Sequence, residues 1–312
     1  MQRTLAAFAI EASNRARDPP RTIIAGSRIM KIVLVADTHL SPRDTMLAQN
    51  WASVGHWLQS AKPDLVVHLG DITADGARHA AELSHARALV LESGRDVLFL
   101  PGNHDVGDNP YDDIAPEERV DPARLAEYRR IFGPDWWSVH VDGWQILGLN
   151  AQLLGTLSID EAAQEAWLVE ALAAGDGPLG VMIHKPLHPV SMAGMPGRYP
   201  PDAARTRLLA RLQTRDLRFV ASGHTHQALS VRQDGTDHVW APSTAFCFPE
   251  ALQKTVGEKR VGAMILELDG GHHRFIAAAP LGLVRHNLLD LPHLYPGVVA
   301  LRTRLSPEER ER

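Results

Sequence analysis

Three short apolar runs near the start of the chain, KIVLVA (31–36), DLVVHL (64–69) and DVLFL (96–100), are separated by stretches of helical periodicity at about 44–61 and 76–92. None alternates as a strand with one wet face would, so each reads as a strand buried on both sides. Strands of this kind joined through helices make βαβαβ. That arrangement requires parallel strands, right-handed crossovers and loops gathered at one edge of the sheet. In open α/β sheets the carboxyl edge is where ligands bind.

Further apolar runs follow at 138–149, 179–183, 217–221, 228–233, 237–241 and 261–268, with helical stretches near 160–174 and 202–213. The shorter spacing after residue 216 predicts antiparallel strands in a second sheet. The polar segment from Val106 to Asp135, with a short helix near 122–132, reads as an insertion placed over the site. A chain of 312 residues with 45% hydrophobic and 22% charged residues can bury a large core as a soluble domain, here 30–285. Residues 1–29, polar and proline-bearing around EASNRARDPPRT, read as a disordered tail or over-extended start, and 286–312 as a C-terminal tail. No apolar run approaches the ~20 residues that span a bilayer, and TLAAFAI is too short for a secretory core, so the expected location is cytoplasmic. The single cysteine, Cys247, excludes an internal disulfide framework and a cysteine-based zinc site, and reads as a buried, reduced thiol.

The strand ends carry the chemistry. After the first run, Asp37 and His39 stand two apart, which on an extended backbone turns both side chains to one side. Gly70-Asp71 follows the second run. The third is stopped by Pro101-Gly102, the glycine admitting a backbone conformation that a Cβ resists, and is followed by Asn103, His104 and Asp105. His184 ends the run at 179–183, and His224 and His226 follow that at 217–221. Taken singly each is ordinary: Gly-Asp is a common turn, and a lone histidine after a strand is usually just hydrogen-bonded. Taken together, two carboxylates, one carboxamide and four histidines form a set of oxygen and nitrogen donors suited to Mn, Fe, Zn or Co.

In this order, D-x-H (37–39), G-D (70–71), G-N-H-D (102–105), His184 and G-H-x-H (223–226) resemble the calcineurin-like metallophosphoesterase superfamily. Within it, APSTAFCF (241–248) and LGDITADG (69–76) are similar to the class III cyclic nucleotide phosphodiesterases. The resemblance implies a four-layer α/β/β/α sandwich of two mixed sheets flanked by helices, with two transition-metal ions. One ion would take Asp37, His39, Asp71 and His226, and the other Asp71, Asn103, His184 and His224, with Asp71 bridging. It further implies in-line attack of a metal-bound hydroxide on a phosphoester, with His104 the catalytic residue facing the phosphate. Two divalent ions about 3.5–4 Å apart suit that chemistry, since they clamp a phosphoryl group and lower the pKa of bound water.

Two positions depart from the pattern. Relatives often carry Asp three residues after the bridging Asp to orient the G-N-H-D histidine; here Ala74 stands there, leaving Asp75 or Asp105 as the supporting carboxylate. Lys185 follows His184 where many relatives repeat histidine, and it reads, with His188, as a solvated loop residue. Trp136, Trp137 and Trp144 offer stacking surfaces for a base, though tryptophan near a strand is more often core. A net charge of -5 lacks the basic footprint of a protein that wraps nucleic acid. The expected partner is a small phosphoester such as a cyclic nucleotide or glycerophosphodiester, with no polymeric nucleic acid. A phosphomonoesterase, a nuclease and a non-catalytic scaffold on this fold are the alternatives, and association into a homo-oligomer stays open.

Overall fold

The computed structural model describes residues 21–23, 29–190 and 197–311. Its first sheet has the order β13-β12-β2-β3-β4, from Met30–Val35 (β2), Leu65–His68 (β3), Val97–Phe99 (β4), Ala263–Asp269 (β12) and His272–Ala278 (β13). β2, β3 and β4 run parallel. Between them lie helices α1 (Met46–Ala61) and α2 (Ala81–Leu91). β2 shows why these strands look uniformly apolar: Met30, Ile32 and Leu34 point into the core between the sheets, while Val33 and Val35 point to the helices. On α1, Trp51, Val54 and Leu58 recur at helical spacing and bury one stripe against that outer face. The helix stops where Lys62, at φ 46, donates its backbone N–H to Leu58 O.

The second sheet has the order β1-β5-β6-β7-β8-β10-β9. Its strands are Arg21–Ile23 (β1), Trp137–Val141 (β5), Trp144–Leu149 (β6), Leu179–Ile183 (β7), Leu217–Ser222 (β8), Leu229–Gln233 (β9) and Thr236–Trp240 (β10). The apolar stretch 138–149 is thus two antiparallel strands, turned at Asp142-Gly143 with both residues at positive φ. Helices α5 (Ile159–Ala174) and α6 (Asp202–Leu212) cover the outer face, packing Leu168, Leu172, Leu208 and Leu212 onto Leu147, Val181 and Val220. Ser158 opens α5 by accepting from Glu161 N at 3.1 Å. Trp144, Ile146, Met182 and Phe219 meet β2 and β12 across the central core. The layers are therefore α/β/β/α.

Several expectations change. Of the strands after residue 216, β9 and β10 pair antiparallel in the second sheet as expected, but β8 runs parallel to β7 and to β10. The β12–β13 hairpin instead extends the first sheet, because the free edge of β2 accepts β12 antiparallel and buries Met264, Leu266 and Leu268 between the sheets. Helix α4 (Pro122–Phe132), with the single turn α3 (Asn103–Val106) preceding it, is no lid: its Leu125, Tyr128 and Phe132 belong to the outer helical layer. Within the stretch expected to be disordered, Arg21–Ile23 pair in parallel with Val139–Val141, while 1–20 and 24–28 lie outside the described residues. Nor is 286–312 simply a tail. His286–Asn287 (β14) pair with Phe246–Cys247 (β11), and Leu291 and Leu294 are buried with Leu47, Ala74 and Phe246. The three tryptophans are structural: Trp144 donates to Gly270 O, Trp137 to Phe99 O, and Trp136 lies under the Arg129 guanidinium.

Candidate metal centre

The parallel strands of both sheets end at one place. Five residues there, Asp37, His39, Asp71, His224 and His226, hold φ between 47 and 68. The left-handed region costs a non-glycine residue on the order of 1–3 kcal/mol, and such strain persists only where surrounding contacts impose it. It also corrects a sequence inference. Asp37 and His39 do not converge because an extended strand puts alternate residues on one side; the chain has left β2, and each is turned individually. Backbone bonds hold the turned loops, Asp37 N to Gly70 O, His39 N to Asp71 O and Gly223 N to His184 O. His224 N donates to both Asp37 carboxylate oxygens at 3.0 Å, tying the second sheet's loop to the first.

Two groups of donors result, Asp37 with His39 and His226, and Asp71 with His184 and His224. In each group the donor atoms lie within 4.8 Å of one another. Each histidine has its far nitrogen engaged. His226 Nδ1 meets Phe246 O at 2.7 Å, His184 Nδ1 meets Leu69 O at 2.9 Å, and His224 Nε2 meets Gly197 O at 3.2 Å. Carbonyls only accept, so these nitrogens carry the protons and the opposite ones present lone pairs. His184 Nε2 and His224 Nδ1 then face each other as lone pairs of neutral rings at 3.2 Å, and His39 Nε2 lies the same distance from the lone pair of His226 Nε2. Asn103 Oδ1 and Asp71 Oδ2 also approach His184 Nε2, each at 3.3 Å. Acceptors pointed at acceptors in a dry site are repulsive without a cation between them, so this donor set fits divalent metals.

Burial and neighbouring charges together set the protonation of the site. Burial, with His104 nearby, holds His39 well below the usual imidazole range, and burial brings His226 to about 4. For His184 burial pulls the same way, but Asp71 outweighs it and raises the group to about 9. Burial lifts Asp37 well above the carboxylate range, whereas Asp71, although buried, is held well below it by His184 and His104.

His104 stands at the edge of this cluster, half-buried, its ring 4.8 Å edge-to-face from that of His39. Its amide donates to Asp71 Oδ1 at 2.9 Å, and its Nδ1 donates to Ala74 O at 2.6 Å. Neither candidate carboxylate orients the ring. Asp75 points to Arg78 and His79. Asp105 is buried and accepts from Gly102 N, Ile72 N, Thr73 N and the Thr73 hydroxyl, so it fastens the 70–73 and 102–105 loops to each other. Burial and the neighbouring Asp71 lift Asp105 to about 6. Gly102 is extended, at φ -103 and ψ -179, a conformation open to any residue. Glycine is required there by close approach, since a Cβ would lie 2.1 Å from Asp71 Oδ1.

Lys185 is fully buried, not solvated. It bonds Asp108 Oδ1 at 2.5 Å and the Tyr111 hydroxyl at 3.1 Å, and Tyr111 in turn donates to Tyr199 O. These bonds tie the segment around 108–111 to the one carrying Gly197, whose carbonyl orients His224. Residues 191–196 lie outside the described residues. Two side chains near the site were not legible as site residues. His68 accepts from Gly70 N at Nδ1 and donates from Nε2 to the Thr38 hydroxyl at 3.0 Å, which donates to Ile72 O. Tyr295 places its hydroxyl 2.8 Å from His39 Nδ1.

A family model described as calcineurin-like phosphoesterase matches residues 30–228. The chain is 26% identical over 259 residues to the 3',5'-cyclic adenosine monophosphate phosphodiesterase CpdA of Escherichia coli K12, a match covering 78% of this chain and 87% of that protein. It is 26% identical over 211 residues to a probable cyclic nucleotide phosphodiesterase of Psychrobacter, covering 65% of this chain but 60% of the relative's length. Among solved structures, a dimetal phosphatase from Danio rerio superposes with a TM-score of 0.57 at 15% identity, over 81% of this chain and 96% of that one. GAP50, the anchor in the inner membrane complex of Plasmodium, superposes at 0.55 and 12% identity, over 82% and 86%. At such identities the likeness is one of fold, and it spans an enzyme and an anchor alike.

Proposed function

The chain belongs to the calcineurin-like phosphoesterase family, whose members hydrolyse phosphoric esters, and on that premise we propose that it cleaves small phosphodiesters, such as cyclic nucleotides or glycerophosphodiesters, at a dinuclear centre. The observation that carries this reading is the convergence of lone pairs from two imidazoles and a carboxylate in each of two adjoining groups. Asp37, His39 and His226 would hold one ion, and Asn103, His184 and His224 the other, with Asp71 between them. Bound there, two ions supply a hydroxide nucleophile at neutral pH and neutralise charge on the phosphoryl oxygens.

The remaining work falls to the chain's own residues. His104, with Nδ1–H committed to Ala74 O, has only Nε2 free, so in its charged form it can donate one proton, in one direction. Cleaving a diester expels an alkoxide, which needs that proton more than a phenolate does. The 26% identity to proteins named as cyclic nucleotide phosphodiesterases favours the same substrate class. A reducing, cytoplasmic setting goes with the buried free thiol of Cys247.

The test is to strip the protein of metal, reconstitute it separately with Mn, Fe, Zn and Co, and assay 3',5'-cyclic AMP, a glycerophosphodiester, a nitrophenyl monoester and single-stranded DNA. Binding of two ions per chain with faster turnover of the small diesters is expected. A preference for the monoester or for DNA overturns the substrate class. Two bound ions with no hydrolysis of any substrate would leave the fold as a scaffold.

A further inference from the structure

The family match ends at residue 228, yet a hydrophobic cluster beside the metal centre is built largely from residues beyond it. Ala245, Phe246, Leu291 and Leu294 are buried there with Leu47 and Ala74, and Phe248, Leu288 and Tyr295 pack against them. This cluster carries three of the groups that orient histidines in the site. Phe246 O accepts from His226, Ala74 O accepts from His104, and the Tyr295 hydroxyl meets His39. Tyr295 also lies edge-on to the rings of His39, His104 and Phe246, at 6.1, 5.8 and 5.9 Å.

The segment that brings Tyr295 here is anchored along its length. β14 pairs in parallel with β11, so His286–Asn287 hold the strand whose Phe246 carbonyl orients His226. His293 Nε2 lies 2.6 Å from Asp44 Oδ2, and the other oxygen of Asp44 accepts from Leu47 N where α1 begins. The second donor group is oriented differently: His184 relies on Leu69 O and His224 on Gly197 O, neither of which belongs to this cluster.

We propose that residues 286–298 act as a clamp for one metal position only, that of Asp37, His39 and His226, with Tyr295 as its positioning residue. The inference rests on the dinuclear reading above. For Nε2 of His39 to offer a lone pair, Nδ1 must hold the proton, and the phenol oxygen is its acceptor. That bond holds the ring plane and, with Nδ1–H as the donor, raises the basicity of the ligating nitrogen. Phe246, held by β14, does the same for His226. Both imidazoles of one position are thereby governed by a segment outside the matched family core, so the affinities of the two positions can vary independently.

The experiment is a Mn(II) titration of metal-free wild type and Tyr295→Phe, followed by electron paramagnetic resonance, which separates isolated from spin-coupled ions. Tyr295→Phe keeps the ring and removes only the hydroxyl. The expected result is a 10- to 100-fold weaker second binding event, with isolated Mn(II) in place of the coupled pair, while the other position keeps its affinity. The melting temperature of the metal-free variant should stay close to wild type. Leu294→Ala, which loosens the clamp without touching a ligand, should weaken the same position to a smaller degree. Unchanged affinity at both positions in Tyr295→Phe, or equal loss at both, overturns the clamp. Wild-type protein that takes up a single ion overturns the dinuclear reading instead.

Discussion

His104 donates its Nδ1–H to the backbone carbonyl of Ala74 across 2.6 Å, and this bond sets what the histidine can do. A carbonyl cannot take a proton, so the imidazole has no relay behind it. Nε2 is its single working atom. Because Ala74 is itself fully buried in the cluster that holds Tyr295, the ring's direction is fixed by packing as well as by the hydrogen bond.

His104→Ala should therefore keep both metals and lose roughly 10²- to 10³-fold in kcat, the usual scale for removing one transition-state donor. The loss should be larger on an alkyl or cyclic diester than on a nitrophenyl diester, whose leaving group hardly needs a proton. Steady-state kinetics on the two substrates, with metal content measured alongside, decide the matter. Equal defects would reassign His104 to charge stabilisation, and loss of a metal would make it a ligand.

Asp71 has both carboxylate oxygens engaged in the site. One carboxylate oxygen receives the His104 amide at 2.9 Å, and the other faces His184 Nε2 at 3.3 Å. Asp71→Ala should weaken both metal positions, whereas His226→Ala should empty chiefly one. Metal content after dialysis against a chelator compares them, and matching retention in the two variants would remove Asp71 as the bridge.

Trp144 bears on the substrate question from the opposite side. It is fully buried between the sheets, 5.7 Å from the Phe219 ring, with its indole N–H on Gly270 O at 2.7 Å. Trp144→Ala should cost about 3–5 kcal/mol of stability in denaturant titration, the range for truncating a buried aromatic. KM for a nucleotide diester, measured where the variant is still folded, should not move. A raised KM at unchanged stability would return Trp144 to the binding site.

What could be seen in the chain beforehand divides along a physical line. Asp37, His39, Asp71, Asn103, His184, His224 and His226 are side chains placed directly after apolar runs, so the strand pattern alone brings them to one edge. The groups that aim their histidines, and His104 beside them, are mostly backbone carbonyls, at Leu69, Ala74, Gly197 and Phe246, and a carbonyl has no letter of its own. Tyr295 does have one, but it reaches His39 from 256 residues away, through a segment whose mixed polarity reads as a tail. The β12–β13 hairpin was similarly half-legible: the apolar run at 261–268 marks its first strand, while its destination depends on the free edge of β2.

His68 gives the fold a pH dependence whose sign can be worked out. It is fully buried, and burial lowers it from 6.5 to about 3. Its two nitrogens join the strand-end loops: Nδ1 accepts from Gly70 N, and Nε2 donates to Thr38, whose hydroxyl donates to Ile72 O. That chain works only with the neutral ring. The unfolded protein takes up the proton near pH 6.5 while the folded one does not until about pH 3, so the contribution is complete above 6.5 and declines as pH falls through that window. Going from pH 7 to pH 5 should remove about 2 kcal/mol through this residue alone. Other buried histidines titrate in the same region, so the comparison is between metal-free wild type and metal-free His68→Gln, in which they are shared. Glutamine does not titrate. The variant should be the less stable at pH 7, having lost part of the bonding between the loops, and the gap should close by most of that amount at pH 5. Chemical denaturation at the two pH values measures it, and a gap that stays constant would mean that His68 is already protonated in the folded protein or bonds otherwise than through a neutral ring.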